Sequence, residues 1–212
     1  MPSRLILTPQ VITGMFRASL EPRNPVESFG RIYGNKGEFY LVTEVYNYTQ
    51  TKRTLSMVRA IPNFSLPKLL SLEEALRKFD PKERLGDYHS HICSGRFSRD
   101  RDNLLSITDL KDIEDSLKEQ DDKEWIELLI RLRERKPYTG KRKPGVTFTQ
   151  RNNMLSFNLC TNSNQSLLFS GAFIGYAVSL RDDYDELKER YSQDKDIKKR
   201  LNVREVRVEL QK

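Results

Sequence analysis

Gly86-Asp87-Tyr88-His89-Ser90-His91 contains both histidines of a 212-residue chain, two positions apart. Leu85 to Tyr88 reads as a short strand, and alternate residues of a strand project to one face. Both imidazoles can therefore converge on one ion. Zinc accepts imidazole nitrogen and carboxylate oxygen in a tetrahedral shell, and a catalytic site leaves one position for water. Two histidines then call for one further protein ligand. Downstream, Leu105-Ser106-Ile107-Thr108-Asp109-Leu110-Lys111-Asp112-Ile113 sets a serine and an aspartate three apart at the head of a helical pattern. Upstream, Glu27-Ser28-Phe29-Gly30-Arg31-Ile32-Tyr33-Gly34 precedes a strand-rich stretch.

In order, these segments are a Glu followed by spaced glycines, then His-Ser-His, then Ser-x-x-Asp. The pattern resembles the signature of the JAMM/MPN+ zinc metalloproteases, nearer to prokaryotic and archaeal members than to the proteasome-lid enzyme. The resemblance implies His89, His91 and Asp109 as zinc ligands, one ion per chain. It implies Glu27 as the residue that takes a proton from the attacking water, and Ser106 as the group that steadies the reacting carbonyl. Two features depart from the family pattern. Ile92 stands where proline usually follows the second histidine, and residues 92–105 make a connection about twice as long as in the shorter-loop members.

Other assignments remain open at this level. A shorter register makes Asp102 the third ligand, but its serine slot is then Arg99, with Ser98 one place off; Asp109 is preferred because its register keeps Ser106, Asp109 and the helix together. Cys93 is a further candidate, since thiolate binds zinc well. Glu21 rivals Glu27 but lacks the glycines. Ser106 and Asp109 also form a helix-capping pattern, and that role can coexist with metal binding. Asp87 and Asp100 read as surface residues.

The chain is long enough to bury a sizeable core. Its apolar fraction of 37% is low and its charged fraction of 32% high, with a net charge of +7 that favours acidic partners. Two cysteines, Cys93 and Cys160, make no disulfide framework and fit a reducing compartment. No stretch reaches the ~20 apolar residues of a membrane span, and no secretory leader is recognisable. The expected location is the cytoplasm. Arg131, Arg133, Arg135, Lys136, Lys141, Arg142 and Lys143 form a basic block that reads as a solvated loop, with nucleic acid as a lesser alternative. Its one interleaved aromatic, Tyr138, makes no base-stacking platform.

Along the chain the patterning predicts a strand over Arg4–Thr8, a helix from Pro9 to Leu20, and strands from Val26, over Glu38–Tyr48 and over Ser56–Ile61. A helix is expected from Ser71 to about Asp80, then the histidine strand and a helix to about Glu119. Trp125, Leu128, Leu129 and Leu132 have helical spacing, but the resemblance places a core strand here, and strand is preferred. Met154–Cys160 and Leu167–Leu180 read as a hairpin. Tyr184, Leu187 and Tyr191 mark one helical face, and Val206, Val208 and Leu210 a terminal strand or tail. The element order suggests an α/β sandwich with a mixed sheet. The resemblance supplies the expected fold: an MPN (cytidine-deaminase-like) mixed β-sheet flanked by helices, over residues 1–180, with a charged C-terminal appendage over 181–212.

The implied activity is hydrolysis of isopeptide or peptide bonds at the C-terminus of a ubiquitin-like protein. The alternatives are a non-catalytic MPN scaffold and a basic nucleic-acid-binding module. Arg96, Arg99 and Arg101 give the long connection positive charge, suited to acidic residues near the substrate tail. Replacing all three with serine should weaken cleavage of a folded ubiquitin-like substrate and spare a short peptide with the same tail, most clearly at low ionic strength. Parallel assays on the two substrates decide this.

Overall fold

The computed structural model describes residues 2–20, 27–48, 51–53, 58–60, 75, 78, 81–92, 105–119, 124–135, 143–160 and 168–212. The strands are β1 (Arg4–Leu7), β2 (Phe29–Lys36), β3 (Tyr40–Asn47), β4 (Thr51–Arg53), β5 (Val58–Ala60), β6 (Glu83–Ile92), β7 (Trp125–Arg135), β8 (Gly145–Arg151), β9 (Met154–Cys160), β10 (Leu168–Leu180) and β11 (Leu201–Leu210). The helices are α1 (Pro9–Leu20), α2 (Ile107–Glu119) and α3 (Tyr184–Arg190), followed by a 3₁₀ turn over Asp194–Lys199.

The main sheet runs β11-β1-β3-β2-β6-β7-β10-β9-β8, and β11 also pairs with β10. That extra pairing closes seven strands into a barrel. Closure depends on the length of β10: one edge lies along β7 over residues 168–178, while the other meets β9 over residues 168–173 and β11 over 175–180. The opposite edge of β11 takes β1 in parallel, Arg4 against Arg207 through Leu7 against Leu210. β8 and β9 form a hairpin extending the sheet beyond the barrel.

This architecture corrects the expected MPN sheet flanked by helices with a charged C-terminal appendage. The alternating Val206, Val208 and Leu210 belong to a barrel strand, with Val206 and Val208 fully buried. One apolar cluster draws residues from all seven barrel strands, among them Leu5, Ile32, Val42, Tyr88, Leu128, Phe173 and Val208, and α1 packs onto it through Val11, Ile12 and Met15. A second cluster lies on the other face of the sheet. It joins Trp125 and Leu129 of β7 and Ile174 and Val178 of β10 to Leu110, Ile113 and Leu117 of α2.

Several expectations held. β1, α1, α2 and the β9–β10 hairpin form where the patterning placed them. Trp125–Leu132 is strand: both its faces are buried, so apolar residues fall at every spacing, the helical one included. Arg131, Arg133 and Arg135 of the basic block lie in β7 and not in a loop, and Arg131 is buried. Lys136, Tyr138, Lys141 and Arg142 lie outside the described residues, as does most of the helix expected from Ser71 to Asp80. No helix among the described residues is long and apolar enough to cross a membrane.

α2 is fastened to the chain beyond β10 by a buried ion pair. Arg200 donates from Nε to Glu114 Oε1 at 2.8 Å and from Nη2 to Oε2 at 2.9 Å, and the Tyr184 hydroxyl donates to Oε1 at 2.9 Å. Burial alone would raise the Glu114 carboxyl, but the Arg200 and Tyr184 hydrogen bonds hold it below its ordinary value of 4.5. A carboxyl depressed in the folded state contributes stability above its unfolded pKa and loses it as pH falls through the folded value. Acid unfolding should therefore steepen below the ordinary carboxylate range. Glu114→Gln should remove that dependence and cost about 3–5 kcal/mol, as breaking a buried pair does. Urea denaturation of both proteins across acidic pH measures it.

Candidate metal centre

β6 and β7 run parallel, in register from Gly86 opposite Ile126 to Ile92 opposite Leu132. Parallel neighbours need a crossover connection, and α2 supplies it. The helix returns antiparallel to the strands, so its first turn stands beside the end of β6 that carries His89 and His91. Along β6, Asp87, His89 and His91 alternate with Tyr88 and Ser90. Tyr88 belongs to the cluster inside the barrel, which puts both histidines on the α2 side.

The sequence-derived ligands come together there. His89 Nε2 lies 3.1 Å from His91 Nε2 and 3.9 Å from Asp109 Oδ2, and the ligand atoms of His89, His91 and Asp109 all fall within 4.8 Å of one another. Two nitrogens on one tetrahedral zinc, each bonded at 2.0–2.1 Å, stand about 3.3 Å apart. The donor set is one that zinc accepts; the His89–His91 separation is close to that of a shared tetrahedral ion, while Asp109 Oδ2, 3.9 Å from His89 Nε2, stands wider. Asp102 and Cys93, the rival ligands, and Arg96, Arg99 and Arg101 lie outside the described residues, as does Glu21.

Asp109 is held by a reciprocal capping box at the start of α2. The Ser106 amide donates to Asp109 Oδ2 at 2.7 Å, and the Asp109 amide donates to Ser106 Oγ at 3.1 Å. The capping reading of Ser-x-x-Asp and its ligand reading therefore describe the same two side chains. Ser106 is exposed, and accepting from Asp109 leaves its hydroxyl hydrogen to be donated elsewhere.

Glu127, passed over in the sequence, anchors His89 from behind. Its Oε1 lies 2.7 Å from His89 Nδ1, and the Trp125 indole donates to its Oε2 at 3.4 Å. Engaging Nδ1 leaves Nε2 for a metal, the arrangement that orients ligating histidines generally. The available signal was a single acid inside the apolar run Trp125–Leu132. Burial opposes charge on His89, but the Glu127 hydrogen bond and charge, with Asp109 and Glu27, outweigh it and carry the imidazole up to about 9. Surroundings that favour an imidazolium also favour a divalent cation in its place. Asp87, expected at the surface, is instead largely covered and accepts from Arg84 Nη2 at 3.0 Å.

Glu27 precedes β2, whose Phe29 pairs with His89. Burial raises its carboxyl to about 7; the charge of His89 opposes the rise and that of Asp109 adds to it, which places Glu27 in the electrostatic reach of both ligands. The glycine three residues on has a steric cause. A Cβ at Gly30 would stand 2.3 Å from the Tyr46 carbonyl oxygen and 2.5 Å from Tyr88 Cε1, so any side chain would push apart β2, β3 and β6. Gly86 begins the β6–β7 register at φ +154°, where a Cβ would meet the Ile126 carbonyl oxygen at 1.8 Å.

No family model matches the chain, and no curated protein matches it. Among solved structures, the chain is similar to the solution structure of protein DSY2949 from Desulfitobacterium hafniense. The identity is 15% and the TM-score 0.42, over 98% of this chain and 93% of that one.

Metal analysis should find one zinc per chain. Asp109→Ala should lower the zinc content and Asp102→Ala leave it intact; the reverse result would transfer the ligand role to Asp102. Glu127→Gln should weaken zinc about 10–100-fold in a chelator competition, in line with the loss of outer-shell partners elsewhere.

Proposed function

We propose that this protein is a zinc-dependent amide hydrolase of the JAMM/MPN+ kind, acting at the C-terminus of a ubiquitin-like protein. The observation that carries the proposal is the convergence of His89, His91 and Asp109, with Glu27 near enough to feel the charges of His89 and Asp109. The resemblance rests on these residues and not on the architecture around them. A bound zinc supplies Lewis acidity and brings the pKa of water towards ~7.

The chain's own groups do the rest. Glu27, with its carboxyl raised towards neutrality, suits both taking a proton from the attacking water and delivering it to the leaving amine. Ser106, at the mouth of α2, donates its hydroxyl hydrogen to the carbonyl oxygen as negative charge develops there. Glu127 and the capping box keep His89 and Asp109 from reorienting during the reaction. The C–N bond of the amide breaks, a C–O bond forms, and the proton removed from water leaves with the amine. No covalent intermediate with the protein is required.

The substrate class follows from the family likeness: an extended Gly-Gly tail joined by an isopeptide or peptide bond. The net positive charge suits an acidic partner. A cytoplasmic setting agrees with the sparse cysteines.

Glu27→Gln separates proton transfer from metal binding. The variant should retain zinc and slow hydrolysis of a peptide ending in Gly-Gly, joined by an amide to aminocoumarin, by ~10²–10⁴-fold. Near-normal turnover would remove Glu27 from the mechanism, and an inert zinc-loaded native protein would count against the hydrolytic reading itself.

A further inference from the structure

Ser90 separates the two histidines and points away from both. Its hydroxyl oxygen accepts the Ser28 amide at 2.8 Å, while the Ser90 amide donates to the Ser28 carbonyl at 2.9 Å. The Ser28 hydroxyl donates to Ser90 Oγ at 3.0 Å and lies 2.6 Å from the hydroxyl of Ser19, in the last turn of α1. Ser19, Ser28 and Ser90 are 0, 0 and 1% exposed. Three hydroxyls in so apolar a setting are costly unless they satisfy one another, and here they form a closed chain from α1 to the histidine strand.

Ser28 follows Glu27 directly. Its side chain turns inward to Ser90, so alternation along the extended chain turns Glu27 outward, to the face of His89 and His91. Residues 27 and 28 precede the first paired residue of β2; there the backbone bond from the Ser90 amide to the Ser28 carbonyl is matched by a side-chain bond, the Ser28 amide donating to the Ser90 hydroxyl. The serine hydroxyls thus reinforce the end of the ladder next to Glu27.

We infer that Ser28 and Ser90, backed by Ser19, are positioning residues that hold Glu27 over the metal-ligating face. The middle residue of His-Ser-His thereby couples the proton-transferring acid to the ligand strand without touching metal or substrate. This rests on the hydrolytic reading for its consequence in turnover, but not for the placement of Glu27, which is measurable alone.

The placement is read by NMR on the ring resonances of His89 and His91. In otherwise native protein, Glu27→Gln should shift them; in a Ser90→Ala background that response should collapse, and the Ser28 amide should exchange faster with solvent. Ser90→Thr, which keeps the hydroxyl, should restore both. Should Ser90→Ala not fold, Ser90→Cys keeps the volume, weakens the acceptor and serves the same comparison. In turnover of the aminocoumarin peptide, Ser90→Ala should lower kcat roughly 10–100-fold with zinc content and KM retained. Added to Glu27→Gln, it should have no further effect. A ring response to Glu27→Gln that survives loss of the Ser90 hydroxyl, or fully additive kcat losses, would overturn the inference. If the zinc-loaded native protein leaves the peptide uncut, the hydrolytic reading falls and the ring response alone decides the positioning role.

Discussion

The parallel register of β6 and β7 governs the candidate metal centre. Two parallel strands cannot be joined by a tight turn, and the connection between these two contains α2. Once Gly86 lies against Ile126, the helix start is confined to the end of β6 where the histidines emerge. The same pairing puts Glu127 within reach of His89 from the neighbouring strand. Asp109, His89 and Glu127 are distant in sequence, yet one run of backbone hydrogen bonds sets their mutual positions. Binding sites of open α/β sheets gather at strand carboxyl ends for a related reason; here the unit is set into the wall of a barrel.

Two of the candidate ligands, and the helix that carries one of them, are each held by a separate device. His89 is braced by Glu127, Asp109 by the capping box with Ser106, and α2 as a whole by Glu114 and Arg200. These restraints lie on different elements; those of Glu127 and of Glu114 with Arg200 also satisfy buried polar groups, whereas the capping box is exposed. Such a supporting shell would set the geometry of the candidate ligands in advance and so lessen the ordering that metal binding would demand.

The site was far more legible in the sequence than the architecture. His89, His91 and Asp109 could be picked out because their chemistry is concentrated in few residue types at short spacings, and histidine is scarce in this chain. Glu127 was less visible, since a lone acid in an apolar strand reveals nothing of a partner 38 positions away. Closure of the barrel was hidden for a different reason. It depends on β10 sharing one edge between β9 and β11, and nothing local in Leu168–Leu180 distinguishes a strand with three neighbours from one with two. Val206, Val208 and Leu210 showed alternation, but alternation marks a buried face without naming the sheet that buries it. The strand Gly145–Arg151 escaped notice because it is mostly exposed and carries little apolar periodicity.

The pairing of β1 with β11 also orders events in time. Residues 4–7 lie parallel to residues 207–210, so β1 has both its edges covered only once β11, far along the chain, has docked. Contacts of such sequence separation form slowly, because loop closure precedes the reward. During that interval β1 and β10 each expose an unpaired edge, the kind of surface through which nascent strands find the wrong partner. The folding of this chain is thus exposed to aggregation from the emergence of β10 until residues 201–210 have docked. A chaperone that shields strand edges over that span would act on yield without touching the candidate metal centre.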